Sequence, residues 1–310
     1  RSAPTIKDLA PRDIVARSMA NEVREGRGAG PNKDYVLLDL THLEPAHIEA
    51  KLPDITEFAR TYLGIEPFTE PVPVYPPAHY ARGGVPTTVT GQVLRSNPDV
   101  VAGLYAAGEV ACVSVHGSNR LGTNSLLDIN VFGKRAGIAA AQYALGAAWV
   151  DLPDDPAGPV AAELERIRTA PPGESVAEIR SALQETMDAD AQVFRTAESL
   201  THALGEIDRL RARFRAVSVQ DKGRTFNTDL LEAVELGFLL DLARGGVVGA
   251  LARNEARGGH FREDYPTRDD ANFMHHTMAY AKATRDGDTT ITLDAKPVTV
   301  TRYQPMERTY

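Results

Sequence analysis

The sequence predicts an α/β region followed by an all-α region. The α/β prediction depends on one stretch, in which a strand-like run at 103–108 leads through a glycine-containing polar loop at 116–123 into a small-residue helix at 125–147. The all-α prediction depends on long amphipathic segments that follow a linker at 151–158. These segments are 161–170, 176–187, 191–217 and 228–255. Together they predict an antiparallel helical bundle.

Local signals predict the remaining elements. A helix is expected to begin near Pro11 and to end before Gly26, because a proline suits the first turn and an apolar stripe follows it. Prolines at their starts predict two more helices, at 45–51 and 53–63. Strands or extended segments are expected at 35–40, 67–77, 87–94, 289–293 and 298–303, the last two as a final hairpin.

Composition excludes several classes of protein. The 310 residues are 43% hydrophobic and 25% charged, and the net charge of −8 argues against nonspecific nucleic-acid binding. The single cysteine, Cys112, excludes an internal disulfide and favours a reducing compartment. No apolar run is long enough to span a membrane. The adjacent His275 and His276 lack further ligands at metal spacing, so no metal site is expected.

Arg120 is the first candidate binding residue. It lies in the polar loop just before the predicted helix, where backbone N–H groups and the helix dipole favour an anion. A guanidinium binds a carboxylate through two parallel hydrogen bonds. A surface salt bridge is the structural alternative, but the flanking glycines favour an anion site.

Five neighbouring residues have two interpretations each. His116 could bind an anion or hold the loop, and His79 could do chemistry or serve a structural role. Glu109 follows a core strand, where an acidic side chain either accepts hydrogen bonds from a diol or caps the structure. Asn124 and Ser125 suit the N-cap of the following helix and could also meet a ligand there. The sequence has no G-x-G-x-x-G, P-loop or nucleophile elbow, so the usual pyrophosphate cradle is missing.

Several motifs resemble one family, the flavoprotein subunit of succinate dehydrogenase and fumarate reductase. The central motif is GEVACVSVHGSNRLG at 108–122, followed by NSLLD at 124–128. Further matching segments are LAPRDIVAR at 9–17, PPAHY at 76–80, GGVPT at 83–87, DKG at 221–223, NTDLLE at 227–232 and the run 257–270. Ser118 stands where the family usually has alanine, and Arg82 adds a charge next to the HY motif.

The resemblance implies a fold and a domain order. The chain is expected to be the C-terminal half of such a subunit, so it would lack the glycine-rich part that holds the FAD phosphates. Residues 1–80 would complete the capping domain, and 81–148 would be the C-terminal part of a doubly wound FAD-binding domain. Residues 149–265 would form the helical domain and 266–310 a small C-terminal domain.

The resemblance also implies roles for individual residues. Arg12, which by residue type alone is a second carboxylate clamp, corresponds to the family's proton carrier. His79 and Arg120 correspond to ligands of the dicarboxylate. The FAD contacts would be Glu109 and, around the flavin ring, Asn124, Ser125 and Leu126. The roles of Arg82, His116 and the run 257–270 stay open.

The expected activity of the intact subunit is oxidation of succinate to fumarate, or the reverse, with FAD as cofactor. Electrons would pass to an iron–sulfur subunit and through it to a membrane anchor, on the cytoplasmic side of a bacterial plasma membrane. Alternatives are an L-aspartate oxidase-like flavoenzyme and a noncatalytic fragment that only binds partners. The chain alone is expected to be inactive.

Overall fold

The computed structural model describes residues 4–5, 9–80, 83–283 and 289–306. Arg82 lies outside these residues, so its role stays open. The chain divides into two compact units: the described residues up to His79 form one, and Tyr80–Met306 form the other. The predicted domain boundaries near residues 148 and 265 stay predictions.

The first unit combines short helices with one two-stranded sheet. Helix α1, Arg12–Arg24, begins directly after Pro11 as predicted, and Arg17 donates to the buried Asp13 at 3.0 Å. The other elements are β1 Val36–Leu38, α2 Pro45–Lys51, α3 Pro53–Phe58, a π-helical turn Ala59–Leu63 and β2 Val72–Val74. Strands β1 and β2 pair antiparallel. The helix predicted at 53–63 therefore changes its winding at residue 59.

The second unit opens with four short strands and a long helix. They are β3 Val85–Pro86, β4 Gln92–Leu94, β5 Val100–Tyr105, β6 Ala111–Cys112 and α4 Asn124–Gly146. β3 pairs parallel with β6, and β4 pairs antiparallel with β5. The strand predicted at 87–94 is present only at Gln92–Leu94, because residues 88–91 form a turn that lets Thr87 pair with Val93. Within the described ranges the named strands pair two at a time, and an antiparallel bridge between Thr87 and Val93 connects the β3 segment to β4. The doubly wound arrangement of the FAD-binding domain stays a prediction.

Helix α4 is more exposed than its sequence predicts. Its small residues at helical spacing indicate a tightly packed core helix. In the structure only Asp128 and Ala136 of this helix are buried, and β5 is its main neighbour. Exposed large apolar side chains run along it and into the following segment: Leu126, Leu127, Ile129, Val131, Ile138, Tyr143, Leu145 and Trp149. The prediction of a buried helix is therefore wrong for this chain.

The predicted helical bundle is present. Its helices are α5 Gly158–Thr169, α6 Val176–Asp190, α7 Ala197–Phe214 and α8 Thr228–Ala252, with a parallel strand pair, β7 Glu174–Ser175 and β8 Val217–Ser218. Leu200, Ile207 and Leu236 are fully buried in its core. Ser175 caps α6 by accepting from the Glu178 N–H. Helix α7 begins later than predicted, because a capping box at Thr196 fixes its start.

The final hairpin differs from the prediction. After α9, Asp270–Phe273, strand β9, His275–Ala283, pairs antiparallel with β10, Thr289–Pro297. Residues 298–303 are not a strand. The sequence HHTMAYAKA of β9 is poor in β-branched residues, so local propensity does not reveal it. Across the ranges described above, no helix is long and apolar enough to cross a membrane. The same ranges contain no group of three or more histidine, cysteine, aspartate or glutamate side chains that could hold a metal ion.

Residues 253–270, called here the arginine-rich loop, lie against the bundle through buried polar contacts. Arg262 is fully buried, and its two nitrogens Nε and Nη2 bond the Asp264 carboxylate at 2.7 Å each. This ion pair lowers the pKa of Asp264 to about 2. Arg195 donates to His260 Nδ1 at 3.0 Å, and His260 Nε2 lies 3.0 Å from the Arg253 carbonyl. His260 is thus fixed as a neutral imidazole with one donor and one acceptor.

Stability is expected to fall in mild acid because of His260. Burial lowers its pKa from 6.5 to about 4. Between these values the unfolded histidine is protonated and the folded one is not, so the free energy of unfolding decreases as pH falls from about 6.5 towards 4 and is unaffected above that window. The loss approaches about 3 kcal/mol at about 1.4 kcal/mol per pKa unit. Urea unfolding across this range measures it.

The matched control for this pH effect is His260→Gln, whose amide keeps one donor and one acceptor but does not titrate. The difference in unfolding free energy between the two proteins should change between about pH 7 and about pH 4. A constant difference would contradict the assignment to His260.

Candidate anion site at the start of helix α4

The polar loop of residues 116–122, called here the clamp loop, connects β6 to α4. Left-handed backbone conformations flank it, with φ of 76° at Ser114 and 65° at Thr123. Such values are uncommon for residues other than glycine, and they persist only where surrounding contacts hold them. Contacts with the surrounding structure therefore hold the loop in a defined conformation.

Arg120 lies in this loop as a buried cation. Only 6% of the residue is exposed, and its guanidinium stacks 4.8 Å from the centroid of the Tyr80 ring. Nη1 donates weakly to the Leu121 carbonyl at 3.4 Å, and Nε is buried without a hydrogen-bond partner. Among the residues that the structure describes, no carboxylate pairs with it. A buried guanidinium is costly unless an anion neutralises it, so this geometry favours an anionic ligand.

His116 and Asp128 support the same corner. His116 Nε2 lies 2.9 Å from Asp128 Oδ2, and both side chains are largely buried. The Tyr80 ring meets the His116 ring edge-to-face, with 5.9 Å between centroids. Tyr80 thus packs between His116 and Arg120, and the Asp128 contact ties His116 to the first turns of α4. Through this contact His116 helps to hold the loop in place. Its other ring nitrogen, Nδ1, is buried and has no hydrogen-bond partner.

The start of α4 differs in detail from the sequence expectation. Thr123, not Asn124 or Ser125, occupies the N-cap position, and its side chain makes no capping bond. Its hydroxyl donates instead to the Gly122 carbonyl at 2.7 Å. Ser125 Oγ is buried without a partner, and Leu126 is exposed. The helix start therefore presents an unsatisfied hydroxyl and a positive dipole end without a side-chain cap, as expected next to an electron-rich ligand.

The remaining predicted site residues lie on exposed positions. Glu109 is exposed just after the buried Gly108 and before β6. Arg12 is exposed at the first residue of α1, and His79 is exposed in the irregular segment after β2. Arg12 and His79 belong to the first unit, whereas Glu109, Arg120 and Asn124–Leu126 belong to the second. Within the second unit, the predicted site residues that lie close together are therefore Arg120 and those at the start of α4.

Sequence reasoning missed two residues of this site. Tyr80 ends the PPAHY motif, and an aromatic ring next to a candidate histidine is a signal for stacking on a cation. Asp128 ends the NSLLD motif, and an acidic residue one turn into an apolar helix is a signal for a buried partner. Neither signal identifies the partner without the fold.

Two family models match the chain. A model described as FAD binding domain matches residues 3–126, and one described as fumarate reductase flavoprotein C-term matches residues 180–310. The flavoprotein subunit of Rickettsia conorii succinate dehydrogenase is 43% identical over 100% of this chain and 53% of its own length. This chain belongs to the family of succinate dehydrogenase and fumarate reductase flavoprotein subunits. The resemblance read from the motifs is thereby confirmed.

Further relatives agree with this family assignment. The fumarate reductase flavoprotein subunit of Mycobacterium tuberculosis is 41% identical over 98% of the chain and 52% of its own length. A structure of Escherichia coli quinol fumarate reductase superposes with a TM-score of 0.87 at 36% identity, covering 96% of this chain and 50% of that one. The chain thus spans about half the length of the relatives it matches. The family is an FAD-dependent oxidoreductase family, as the motifs predict.

Proposed function

We propose that this chain supplies the C-terminal part of a flavoprotein that interconverts succinate and fumarate. The observation that carries the proposal is Arg120: it is buried, stacked on Tyr80 and without a carboxylate partner in the described part of the chain. A dicarboxylate provides the missing negative charge and matches the planar guanidinium. Because the chain belongs to this family, we infer that the dicarboxylate is succinate or fumarate.

Each site residue then has a defined task. Arg120 holds one carboxylate of the substrate, and His79 donates a hydrogen bond to the substrate. Arg12 moves the proton that leaves or joins the substrate carbon. The Asp13–Arg17 ion pair at 3.0 Å anchors the first turns of the helix that carries Arg12. Tyr80 fixes the plane of the Arg120 guanidinium by stacking on it.

The residues at the start of α4 fit FAD. The buried, unpaired Ser125 hydroxyl and the uncapped helix end suit the electron-rich edge of a flavin ring. Asn124 and Leu126 would contact the same ring, and Glu109 would accept hydrogen bonds from the sugar-derived hydroxyls. When bound, FAD supplies the two-electron redox chemistry that these side chains do not provide.

The exposed apolar surface of α4 supports a larger flavin domain. A row of large apolar side chains in water is unusual for an independent soluble unit and marks a surface that other protein covers. We assign this cover to the other half of the flavin domain, since the chain spans about half the length of its relatives. The intact subunit would then pass electrons to an iron–sulfur subunit and, through it, to a membrane anchor. These partners would hold it on the cytoplasmic side of a bacterial plasma membrane.

The 310-residue chain alone is expected to bind FAD weakly and to show no succinate–dye activity, because its sequence contains no pyrophosphate cradle. A full-length flavoprotein subunit that includes this chain should bind FAD stoichiometrically and reduce the dye with succinate. Flavin absorbance and dye turnover measure both. Turnover with L-aspartate but not succinate in the full-length protein would instead identify an aspartate oxidase.

A further inference from the structure

The arginine-rich loop, which sequence reasoning left without a role, is joined to the clamp loop by hydrogen bonds. The Ser118 hydroxyl donates to the Arg257 carbonyl, and the Gly259 N–H donates to the Ser118 carbonyl at 2.8 Å. Ser118 is two residues from Arg120. A displacement of the arginine-rich loop therefore moves the backbone that carries the candidate anion ligand.

Gly258 makes this close approach possible. Its φ of +58° is a left-handed conformation, and a Cβ atom built there would lie 2.6 Å from the Ser118 carbonyl oxygen. Such a contact is too short for any side chain, and the Ser118 carbonyl is backbone that cannot rotate away. The two loops are consequently fitted to each other at this residue.

Glu255 fixes the shape of the arginine-rich loop from inside. The residue is fully buried, and its carboxylate accepts from Arg257 Nε and Nη2 at 2.8 and 2.9 Å and from Arg253 Nε at 3.2 Å. It also accepts from the Asp269 N–H at 2.9 Å. Arg257 in turn reaches Asp270 at 2.7 Å. One carboxylate thus ties together the beginning and the end of the loop.

We propose that Glu255 is a positioning residue for Arg120. Its carboxylate holds Arg257, the backbone of residues 257–259 holds Ser118, and Ser118 sets the position of the clamp loop. The loop begins where α8 ends, so the same chain of contacts links the helical bundle to the anion site. The choice of a dicarboxylate as the ligand rests on the proposed function, whereas the link between Glu255 and the clamp loop does not.

The test uses the full-length flavinated subunit that includes this chain. Glu255→Gln keeps the shape of the side chain and removes its charge, and Gly258→Ala pushes on Ser118 directly. Both variants are expected to raise KM for succinate about 10- to 100-fold with a smaller change in kcat and unchanged flavin content. Glu255→Asp, which keeps the charge, should recover part of the loss.

Hydrogen–deuterium exchange without substrate provides the readout that is independent of activity. Peptides covering residues 116–122 should exchange faster in both variants than in the parent protein. Glu206→Gln is the matched control, because Glu206 pairs with the mostly exposed Arg209 on α7, and it should change neither KM nor exchange.

The outcomes separate the two proposals. Unchanged exchange at 116–122 in both folded variants would show that Glu255 does not position the clamp loop. Faster exchange in a protein whose parent form does not oxidise succinate would support the positioning role and contradict the proposed substrate. If Glu255→Gln fails to fold, Gly258→Ala decides by the same two measurements.

Discussion

Arg120→Ala is expected to lower kcat/KM for succinate on the order of 10³-fold in the full-length flavinated subunit. The guanidinium is buried on Tyr80 with Nε unpaired, so it is preorganised for a carboxylate, and alanine removes both the charge and its directed donors. Flavin content should stay unchanged, because the residues proposed to meet the flavin ring are those at the start of α4. Succinate–dye kinetics and the flavin-to-protein absorbance ratio measure the two effects separately.

Two further variants sharpen this experiment. Arg120→Lys keeps the positive charge but loses the planar fork, so it should recover only a small part of the activity. Arg135→Ala removes an exposed arginine of α4 that lies over Phe132, and its kinetics should match those of the parent protein. Near-normal turnover in Arg120→Ala would rule out the carboxylate clamp.

The clamp loop and α4 could be predicted because their signals are local. Glycines, a polar loop and an apolar period are readable within a few residues, and the observed helix begins within one residue of its prediction. The family motifs then supplied roles for single residues such as Arg120. None of these signals reports which distant segment lies next to the loop.

The contacts that hold the site depend on tertiary structure. Ser118 bonds Arg257 and Gly259 across more than a hundred residues of sequence, and no local pattern relates them. Strand β9 was missed because its pairing with β10 overrides weak local propensity. The burial of α4 was overestimated because small-residue spacing indicates close packing without indicating which chain provides the neighbour.

Arg262→Ala is expected to destabilise the chain by about 2–4 kcal/mol, chiefly through the buried carbonyls that it leaves without donors. Arg262 is fully buried, pairs with Asp264, and donates through Nη1 to the carbonyls of Ala250 and Leu251 at 3.2 and 3.1 Å, near the end of α8. Alanine removes all of these donors at once and leaves carbonyls that cannot all reach water. Urea unfolding followed by far-ultraviolet circular dichroism measures the loss.

The matched control for Arg262 is Arg209→Ala, which removes an arginine from an exposed ion pair with Glu206 on the same bundle. Its cost should stay below about 1 kcal/mol, because solvent screens a surface pair and replaces its hydrogen bonds.

Arg262→Ala should also release the pKa of Asp264 from about 2 towards its ordinary value. Because a lowered aspartate pKa stabilises the fold above the unfolded value of 3.8 and loses that effect as pH falls towards about 2, the variant should show a smaller loss of stability in this range. A cost for Arg262→Ala equal to that of Arg209→Ala would mean that the buried Arg262 contributes no more than an exposed arginine.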